Sequence, residues 1–219
     1  MRKSFNILSE SGANETRNTP TNNKVLIVDE HPIIRSALHT CVSQHGLEGI
    51  AEARDGREAI RHLHQHEPEL MIIELDLPAL SGLVVLEHIK LLKLPIKTLV
   101  FSAHTSRLSI LNCVFAGAHG FVSKGEDLSA LSMALQRVKS GETFYPDWVQ
   151  QDQNLGAEDP MTVLSGRERQ VLQLLSEGLS NIQVAERMQL SDKTISTFKT
   201  RSLRKLNAKS VVEIVHRFK

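Results

Sequence analysis

The stretch from Leu70 to Gly82 constrains the fold of this chain more than any other. It opens on a continuous apolar run, residues 70–73, and then changes abruptly to Glu74 and Asp76, which precede a proline and a Ser-Gly pair. A short apolar run of this kind is typical of a strand buried on both faces of a parallel sheet. Open α/β sheets build their sites at the carboxyl ends of such strands. We therefore expect Glu74, the first acid after the run, to lie in a functional site.

Apolar runs of strand length alternate along the chain with stretches in which apolar residues recur at helical spacing. The runs cover residues 24–28, 47–51, 70–73, 98–101 and 121–122. Five strand–helix units in succession predict an α/β domain with a doubly wound, five-stranded parallel sheet of the flavodoxin-like kind. We place this domain at residues 24–145.

Polar side chains follow four of the predicted strands. Asp29 and Glu30 follow the first strand, Glu74 the third, Ser102 the fourth and Lys124 the fifth. Each acid alone could be a helix cap, but the carboxyl ends of parallel strands meet at one edge of the sheet. Clustered acids suit magnesium, whereas a hydroxyl and an ammonium group suit an oxyanion, the arrangement that phosphoryl transfer requires.

These motifs resemble those of two-component receiver domains. The matching segments are Val25 to Pro32, Leu77 to Gly82, Ser102 to His104, and Gly120 to Lys124. The resemblance implies that the acids after the first and third strands bind magnesium, here Asp29, Glu30 and Glu74. It also implies that the third-strand acid accepts a phosphoryl group from a histidine kinase, and that the switch residues are those at positions 102, 121 and 124.

The chain departs from the receiver pattern at the accepting position. Receivers have aspartate four residues before the proline, where this chain has Glu74. Asp76 lies two residues further along the strand direction, about 6–7 Å away, and should be beyond the reach of Lys124. Glutamate brings one charge where a phosphoryl group brings about 1.5–2. We therefore expect a phosphorylation-independent receiver in which Glu74 partly imitates the phosphorylated state, with no required cofactor but with room for Mg²⁺ in the acidic pocket. A degenerate site that only supports a dimer scaffold remains the alternative.

The switch assignment completes the expected receiver site. By the resemblance, Ser102 and Lys124 would read the phosphoryl group, and Phe121, an aromatic three residues before the lysine, would change rotamer. Because no base is paired with these groups in a separate substrate pocket, we do not expect an enzyme.

The net charge of +1 conceals an uneven distribution. Residues 161–219 hold 11 Lys/Arg and 5 Asp/Glu, while residues 146–160 hold four acids and no base. We expect residues 1–23 to be a disordered extension and residues 146–160 a linker, and we expect the basic segment 161–219 to bind nucleic acid. The two cysteines fall in apolar patterns, and no apolar run reaches the roughly 18 residues of a membrane span. Because residues 1–23 lack a charged-then-apolar pattern, we expect no secretion signal. The sequence is thus typical of a cytoplasmic protein that has no contact with membranes.

Residues 161–219 predict a small all-α domain. Ser165, Ser180 and Ser191 are candidate N-caps, and a short helix, a turn and a longer basic helix form a helix-turn-helix. The motifs Leu164–Arg169, Gly178–Asn181, Leu190–Ile195 and Lys205–Leu206 closely resemble the LuxR/NarL/FixJ DNA-binding domain. By that resemblance, the third helix presents Lys193, Thr194, Ser196, Thr197, Lys199, Thr200, Arg201 and Arg204 to DNA. Base edges would face Ser196, Thr197 and Thr200, and Phe198 would be core.

We therefore interpret the chain as a response-regulator-like transcription factor that binds double-stranded promoter DNA as a homodimer, most similar to the BvgA/EvgA branch. A histidine kinase or another regulator would be a further partner. The alternative is a pseudo-receiver interaction protein that pairs with another regulator and antagonises it.

Overall fold

A computed structural model describes residues 23–151 and 163–217. The predicted extension, apart from Asn23, lies outside these ranges. Within the first range the five strands are β1 (Lys24–Val28), β2 (Glu48–Ala53), β3 (Leu70–Ile73), β4 (Lys97–Ser102) and β5 (Gly120–Ser123). They form one sheet in the order β2-β1-β3-β4-β5, and every neighbouring pair is parallel. The predicted sheet is confirmed, and the second strand extends two residues beyond its predicted end.

Helices cover both faces of the sheet. They are α1 (Pro32–Gln44), α2 (Gly56–His66), α3 (Gly82–Leu92), α4 (Arg107–Phe115) and α5 (Leu128–Ser140). One apolar cluster joins the sheet to α1 and α5, and a second joins it to α2, α3 and α4. Residues of β3 are buried in both clusters, as the continuous apolar run predicts for a central parallel strand.

The receiver domain extends beyond its predicted end at residue 145. Phe144 pairs with Gly120 at the edge of the sheet, and the buried Tyr145 hydroxyl donates a hydrogen bond to the Ala118 carbonyl. A short helix, α6 (Asp147–Gln151), follows, and Val149 is buried in the core. The first part of the predicted linker is therefore a packed element, because its apolar residues complete the core. The remainder of the linker, residues 152–160, lies outside the described residues.

The carboxy-terminal domain consists of helices α7 (Gly166–Ser176), α8 (Asn181–Met188), α9 (Asp192–Lys205) and α10 (Val211–Arg217). The three predicted serine N-caps each accept a hydrogen bond from a backbone N–H in the first helical turn, and those of α7 and α8 form capping boxes. These caps satisfy N–H groups that have no partner within the helix. An apolar cluster of α7, α8 and α9 residues holds the helix-turn-helix together.

The carboxy-terminal domain packs against the receiver through α7, which contacts α3 and α4. One apolar cluster spans both domains and includes Leu108 and Phe115 of α4 together with Leu164, Leu172 and Ile214 of the second domain. Docking therefore buries part of the α4 surface that lies opposite the receiver core.

Candidate functional site: the acidic pocket and the exposed helix

Glu74 follows β3 directly, and the chain fixes its position from both sides. Its backbone N–H donates to the Val28 carbonyl at 3.0 Å, which ties it to β1. A Cβ atom at Gly82 would lie 2.1 Å from the Glu74 carbonyl oxygen. Only glycine allows this close approach of two backbone segments, so Gly82 lets the loop after β3 fold back beneath the acid.

The Glu74 carboxylate is buried and every contact that it makes comes from a donor. Its Oε1 atom accepts from the Leu75 N–H at 2.6 Å, from the Asp76 N–H at 3.3 Å and from the Ser102 hydroxyl. Its Oε2 atom lies 2.6 Å from Lys124 Nζ. Backbone amides, a hydroxyl and an ammonium group thus converge on one carboxylate, a combination that stabilises negative charge in a dry pocket.

Lys124 bridges two carboxylates. Its Nζ also lies 2.6 Å from Asp29 Oδ2. Burial by itself would lower the pKa of Lys124, but the hydrogen bonds to Asp29 and Glu74 and the charges of both acids outweigh burial and raise it. The ammonium group therefore stays charged and compensates two acids that could not otherwise be buried side by side.

The three predicted magnesium ligands do not assemble into a metal site. Glu30 is exposed and its carboxylate lies near His31, while Asp29 accepts from the His31 backbone N–H and from Lys124. Within residues 23–151 and 163–217 no group of three or more His, Cys, Asp or Glu side chains is placed to hold a metal ion. The Lys124 ammonium group lies between the two buried acids, 2.6 Å from each, and the assignment of Asp29, Glu30 and Glu74 as magnesium ligands stays a prediction. These residues do not fit Mg²⁺ in this arrangement.

The other receiver residues lie as follows. Ser102 is fully buried against Glu74, and Phe121 is buried in the core on the α2–α4 face of the sheet.

Asp76 makes no contact with Lys124 among the ion pairs of the described residues; its carboxylate instead accepts from Arg187 of α8, with Nε at 2.9 Å from Oδ1. Sequence patterns gave no signal for Arg187, because its partner is 111 residues away.

The predicted DNA-contacting residues share the solvent-facing side of α9. Lys193, Thr197, Thr200, Arg201 and Arg204 are exposed, and the remaining three, at positions 194, 196 and 199, are partly exposed. The docked receiver leaves this side of the helix uncovered. Ile195 and Leu206 are buried on the opposite side, and Phe198 packs against the domain core.

Hydrogen bonds within the domain orient three hydroxyl groups of α9. Thr197 donates to the Lys193 carbonyl and Thr200 to the Ser196 carbonyl, each at 2.9 Å. The remaining lone pairs of the two threonine hydroxyl oxygens can therefore accept hydrogen bonds. Ser196 Oγ instead accepts from the Asn181 amide at 3.1 Å, which leaves its own O–H group available to donate.

Lys205, which sequence patterns place on the basic face of α9, has a structural partner. Its Nζ lies 2.7 Å from Glu168 Oε2. Burial would raise the pKa of Glu168, but the hydrogen bonds from Lys205 and Ser165 lower it overall. This ion pair joins the N-terminus of α7 to the C-terminus of α9 and so fixes the angle at which α9 is presented.

Comparison with known proteins agrees with both domains, the receiver and the helix-turn-helix domain. Residues 25–136 match the family model of the response regulator receiver domain, and residues 162–218 match that of bacterial regulatory proteins of the luxR family. The chain belongs to the LuxR-type response regulators. The predicted resemblance to receivers and to LuxR-type DNA-binding domains is confirmed.

Full-length relatives place this response regulator near the predicted branch. It is 39% identical over 198 residues to the virulence-factor transcription regulator BvgA of Bordetella pertussis, covering 88% of this chain and 95% of BvgA. It is 29% identical over 191 residues to the DNA-binding transcriptional activator EvgA of Escherichia coli, covering 86% and 94%. Both relatives are transcription regulators by name.

Solved structures confirm the fold. RcsB from Salmonella enterica serovar Typhimurium, bound to promoter DNA, superposes with a TM-score of 0.63 at 22% identity and covers 90% of this chain and 98% of RcsB. A LuxR-family response regulator from Aurantimonas gives a TM-score of 0.55 at 28% identity, covering 62% of this chain and 98% of that chain. Across the described residues, no helix of this regulator is both long and apolar enough to cross a bilayer.

Proposed function

We propose that this response regulator binds promoter DNA without needing phosphorylation, because Glu74 occupies the accepting position and engages the groups that would otherwise hold a phosphoryl group. The observation that supports this most is the set of donors on its carboxylate: two backbone N–H groups, the Ser102 hydroxyl and Lys124. A phosphoryl oxygen would need donors of the same kind. No histidine kinase and no Mg²⁺ are then required.

Phosphoryl transfer to this pocket is disfavoured for two physical reasons. A nucleophilic oxygen must approach phosphorus with a free lone pair, whereas Glu74 Oε1 already accepts from three donors and Oε2 faces the Lys124 ammonium group. The cation that would neutralise the incoming phosphate must also reach the acids, yet Lys124 lies between Asp29 and Glu74. Asp76 is no substitute acceptor, since its carboxylate pairs with Arg187.

The imitation of a phosphorylated state is partial. Glu74 contacts Ser102 and Lys124, and Phe121 is buried in the core, but one carboxylate supplies about half the charge of a phosphoryl group. We infer a receiver biased toward the conformer that a phosphorylated relative would adopt, not locked in it.

The DNA interface that we propose is the exposed side of α9. Lys193, Lys199, Arg201 and Arg204 supply cations for phosphates, and Thr194 lies near the helix N-terminus, where backbone dipoles also favour phosphate. Base edges would face Ser196, Thr197 and Thr200. From the hydroxyl orientations above, Ser196 is suited to donate to a base acceptor and the two threonines to accept from an amino group or to contact a thymine methyl.

A homodimer on a two-fold DNA site would bring two such helices together. Support comes from exposed apolar side chains on the adjacent helices α1 and α5, namely Ile33 at 78%, Leu128 at 66% and Met133 at 54% exposure. Contiguous exposed apolar side chains are characteristic of interaction surfaces, and we propose that these three belong to one. If this face instead binds a different regulator and the chain binds no DNA, the antagonist function replaces the one proposed here. We propose that the protein acts in the cytoplasm, where the chromosomal DNA lies.

A direct test combines two measurements on the full chain. After incubation with acetyl phosphate and Mg²⁺, intact mass should show no phosphoryl adduct on the wild type but an adduct on Glu74→Asp, whose shorter side chain restores the family acceptor. Genome-wide DNA capture from cells that express the unphosphorylated wild type should enrich discrete sites. A stable adduct on the wild type would refute phosphorylation independence, and an absence of enriched sites would refute the regulator function.

A further inference from the structure

Four charged side chains join the loops above the receiver pocket to the DNA-binding domain. Asp76 pairs with Arg187 of α8. His104, in the loop after β4, lies with Nδ1 3.2 Å from Glu177 Oε1 at the end of α7 and with Nε2 3.7 Å from Asp76 Oδ2. Arg187 and Glu177 belong to one domain and Asp76 and His104 to the other. We refer to these four residues as the interdomain latch.

We propose that the interdomain latch holds the DNA-binding domain against the receiver and weakens when His104 loses its proton. An imidazole ring has two N–H donors only when it is protonated, and here each ring nitrogen faces a carboxylate. Deprotonation removes the ring's positive charge from between the two acids and leaves at least one nitrogen facing a carboxylate as lone pair against lone pair. This inference is independent of the role proposed for Glu74.

The groups around His104 shift its pKa in the direction that this proposal requires. The hydrogen bond to Glu177 raises the pKa of His104, burial opposes it, and the charges of Glu177 and Glu74 raise it further while Lys124 lowers it; the net shift is upward. The ring's surroundings in the docked state thus favour the imidazolium form.

The remaining groups near His104 do not reverse the upward shift of its pKa. The backbone N–H of His104 donates to Ser102 Oγ at 3.1 Å. From α7, the Gln173 amide donates to Glu177 at 3.3 Å, and from α4, the Arg107 guanidinium group lies over the Trp148 ring, 4.5 Å from its centre. Arg187 neutralises Asp76 but leaves Glu177 to the imidazole.

The sign of the pH dependence follows from linkage. Glu177 belongs to the other domain, so its effect on His104 exists only in the docked form, and the pKa of His104 is higher docked than undocked. The protonated ring then supports docking fully below the undocked pKa, and this support is lost as the pH rises through the higher docked pKa.

The part of the interface formed by α4 and α7 contains buried polar groups, which bear on the equilibrium between the docked and undocked forms. Asn112 lies one helical turn after Leu108 on the side of α4 that faces α7, and it is fully buried. Among the described residues, neither atom of its amide group has a hydrogen-bond partner, and the same is true of Arg169 Nε. Buried unpaired polar groups oppose burial, so the apolar contacts of this interface are offset in part and the latch can tip the balance.

The latch also connects the two sites. The Asp76 backbone N–H donates to Glu74 Oε1, while the Asp76 carboxylate binds Arg187. A change at Glu74 that moves this loop would therefore reach α8 through a single residue.

The test is single-molecule fluorescence energy transfer in the full chain, between dyes on Gln136→Cys in the receiver and Lys209→Cys in the second domain. Both positions are exposed, whereas the native thiols Cys41 and Cys113 are buried and burial raises the pKa of each. The dyes therefore label the engineered cysteines selectively.

We expect the ratio of docked to undocked molecules to fall about five- to tenfold between pH 6 and pH 9, the effect of replacing a charge-assisted hydrogen bond by a neutral one. In His104→Gln the ratio should no longer depend on pH in this range. His64→Gln serves as the matched control, since His64 is an exposed histidine that contacts His88 and no group of the second domain; it should keep the wild-type profile.

Charge exchange keeps the proposal falsifiable if a single variant folds poorly. Asp76→Arg or Arg187→Asp alone should shift molecules to the undocked form, and the double exchange should restore docking. The proposal is overturned if the wild-type ratio is constant with pH, if His104→Gln retains the wild-type profile, or if no docked population exists at pH 6.

Discussion

Replacing Glu74 by alanine tests the central contact of the receiver. The change removes the acceptor for two backbone N–H groups and the Ser102 hydroxyl, and it removes one of the two carboxylates on Lys124. Breaking one side of a buried ion pair typically costs about 3–5 kcal/mol. Because Asp29 still compensates Lys124, and because two neighbouring carboxylates no longer repel each other, we expect a loss of about 2–3 kcal/mol.

The assay is thermal unfolding of the full chain by calorimetry, with the receiver transition followed separately. For a domain of this size, 2–3 kcal/mol corresponds to a drop of about 10 °C in Tm. Glu74→Gln keeps an acceptor for the N–H groups but lacks the charge, so we expect about half that drop. Glu142→Ala is the matched control, since Glu142 is exposed and its nearest cation, on Arg137, is 4.0 Å away; its cost should be below about 0.5 kcal/mol.

If Glu74→Ala unfolds within the range of the control, the contacts described for Glu74 contribute little energy and the argument from its donors fails. DNA affinity of the same variant separates the two remaining interpretations. A weaker affinity for promoter DNA supports partial imitation of the phosphorylated state, whereas an unchanged affinity supports a degenerate site that only maintains the scaffold.

Three further predictions concern the interface and the DNA-binding helix. Asn112→Leu replaces an unpaired buried amide by an apolar group, so the docked fraction in the energy-transfer assay should rise about tenfold; no rise would mean that this amide is not desolvated by docking. Gly166→Ala should lower the docked ratio about fivefold, because its Cβ would lie 1.6 Å from Glu87 Oε2 and would push that carboxylate off Arg169. A normal docked ratio would show that Glu87 has another accommodating position. In DNA titrations, Ser196→Ala should relax the preference for one base by about 1–3 kcal/mol, whereas Arg204→Ala should weaken all sequences alike and lower the salt slope by about 1; the reverse pattern would exchange their assigned roles.

The sequence was sufficient to predict the receiver sheet and the helix-turn-helix, because each rests on local periodicity. The apolar run before Glu74 and the serine caps of α7, α8 and α9 are short-range signals that packing did not override. The packing of α6 has no comparable signal, since the helix is short and its apolar residues have no period to reveal that they complete a distant core.

The predicted magnesium ligands depend on a different kind of information. Strand ends show which acids share an edge of the sheet, but not where a neighbouring lysine places its ammonium group. Asp29 and Glu74 each have a carboxylate oxygen 2.6 Å from Lys124 Nζ. In this structure the two buried acids are thus compensated by an ion pair with a shared lysine.

The interdomain latch could not have been predicted from sequence for a reason that also explains its chemistry. Its members lie in loops and at helix ends, where no apolar pattern exists, and Asp76 and Arg187 are separated by 111 residues. Each member is ordinary for a solvent-exposed position, and only docking turns them into partners. Because the interface includes unpaired polar groups, its apolar contacts alone do not secure the docked state. The position of the DNA-binding domain then depends on charges that respond to protons and to movement of the loop after Glu74. The residues that sequence analysis does not find are therefore those able to transmit a change from the pocket to the DNA-binding domain.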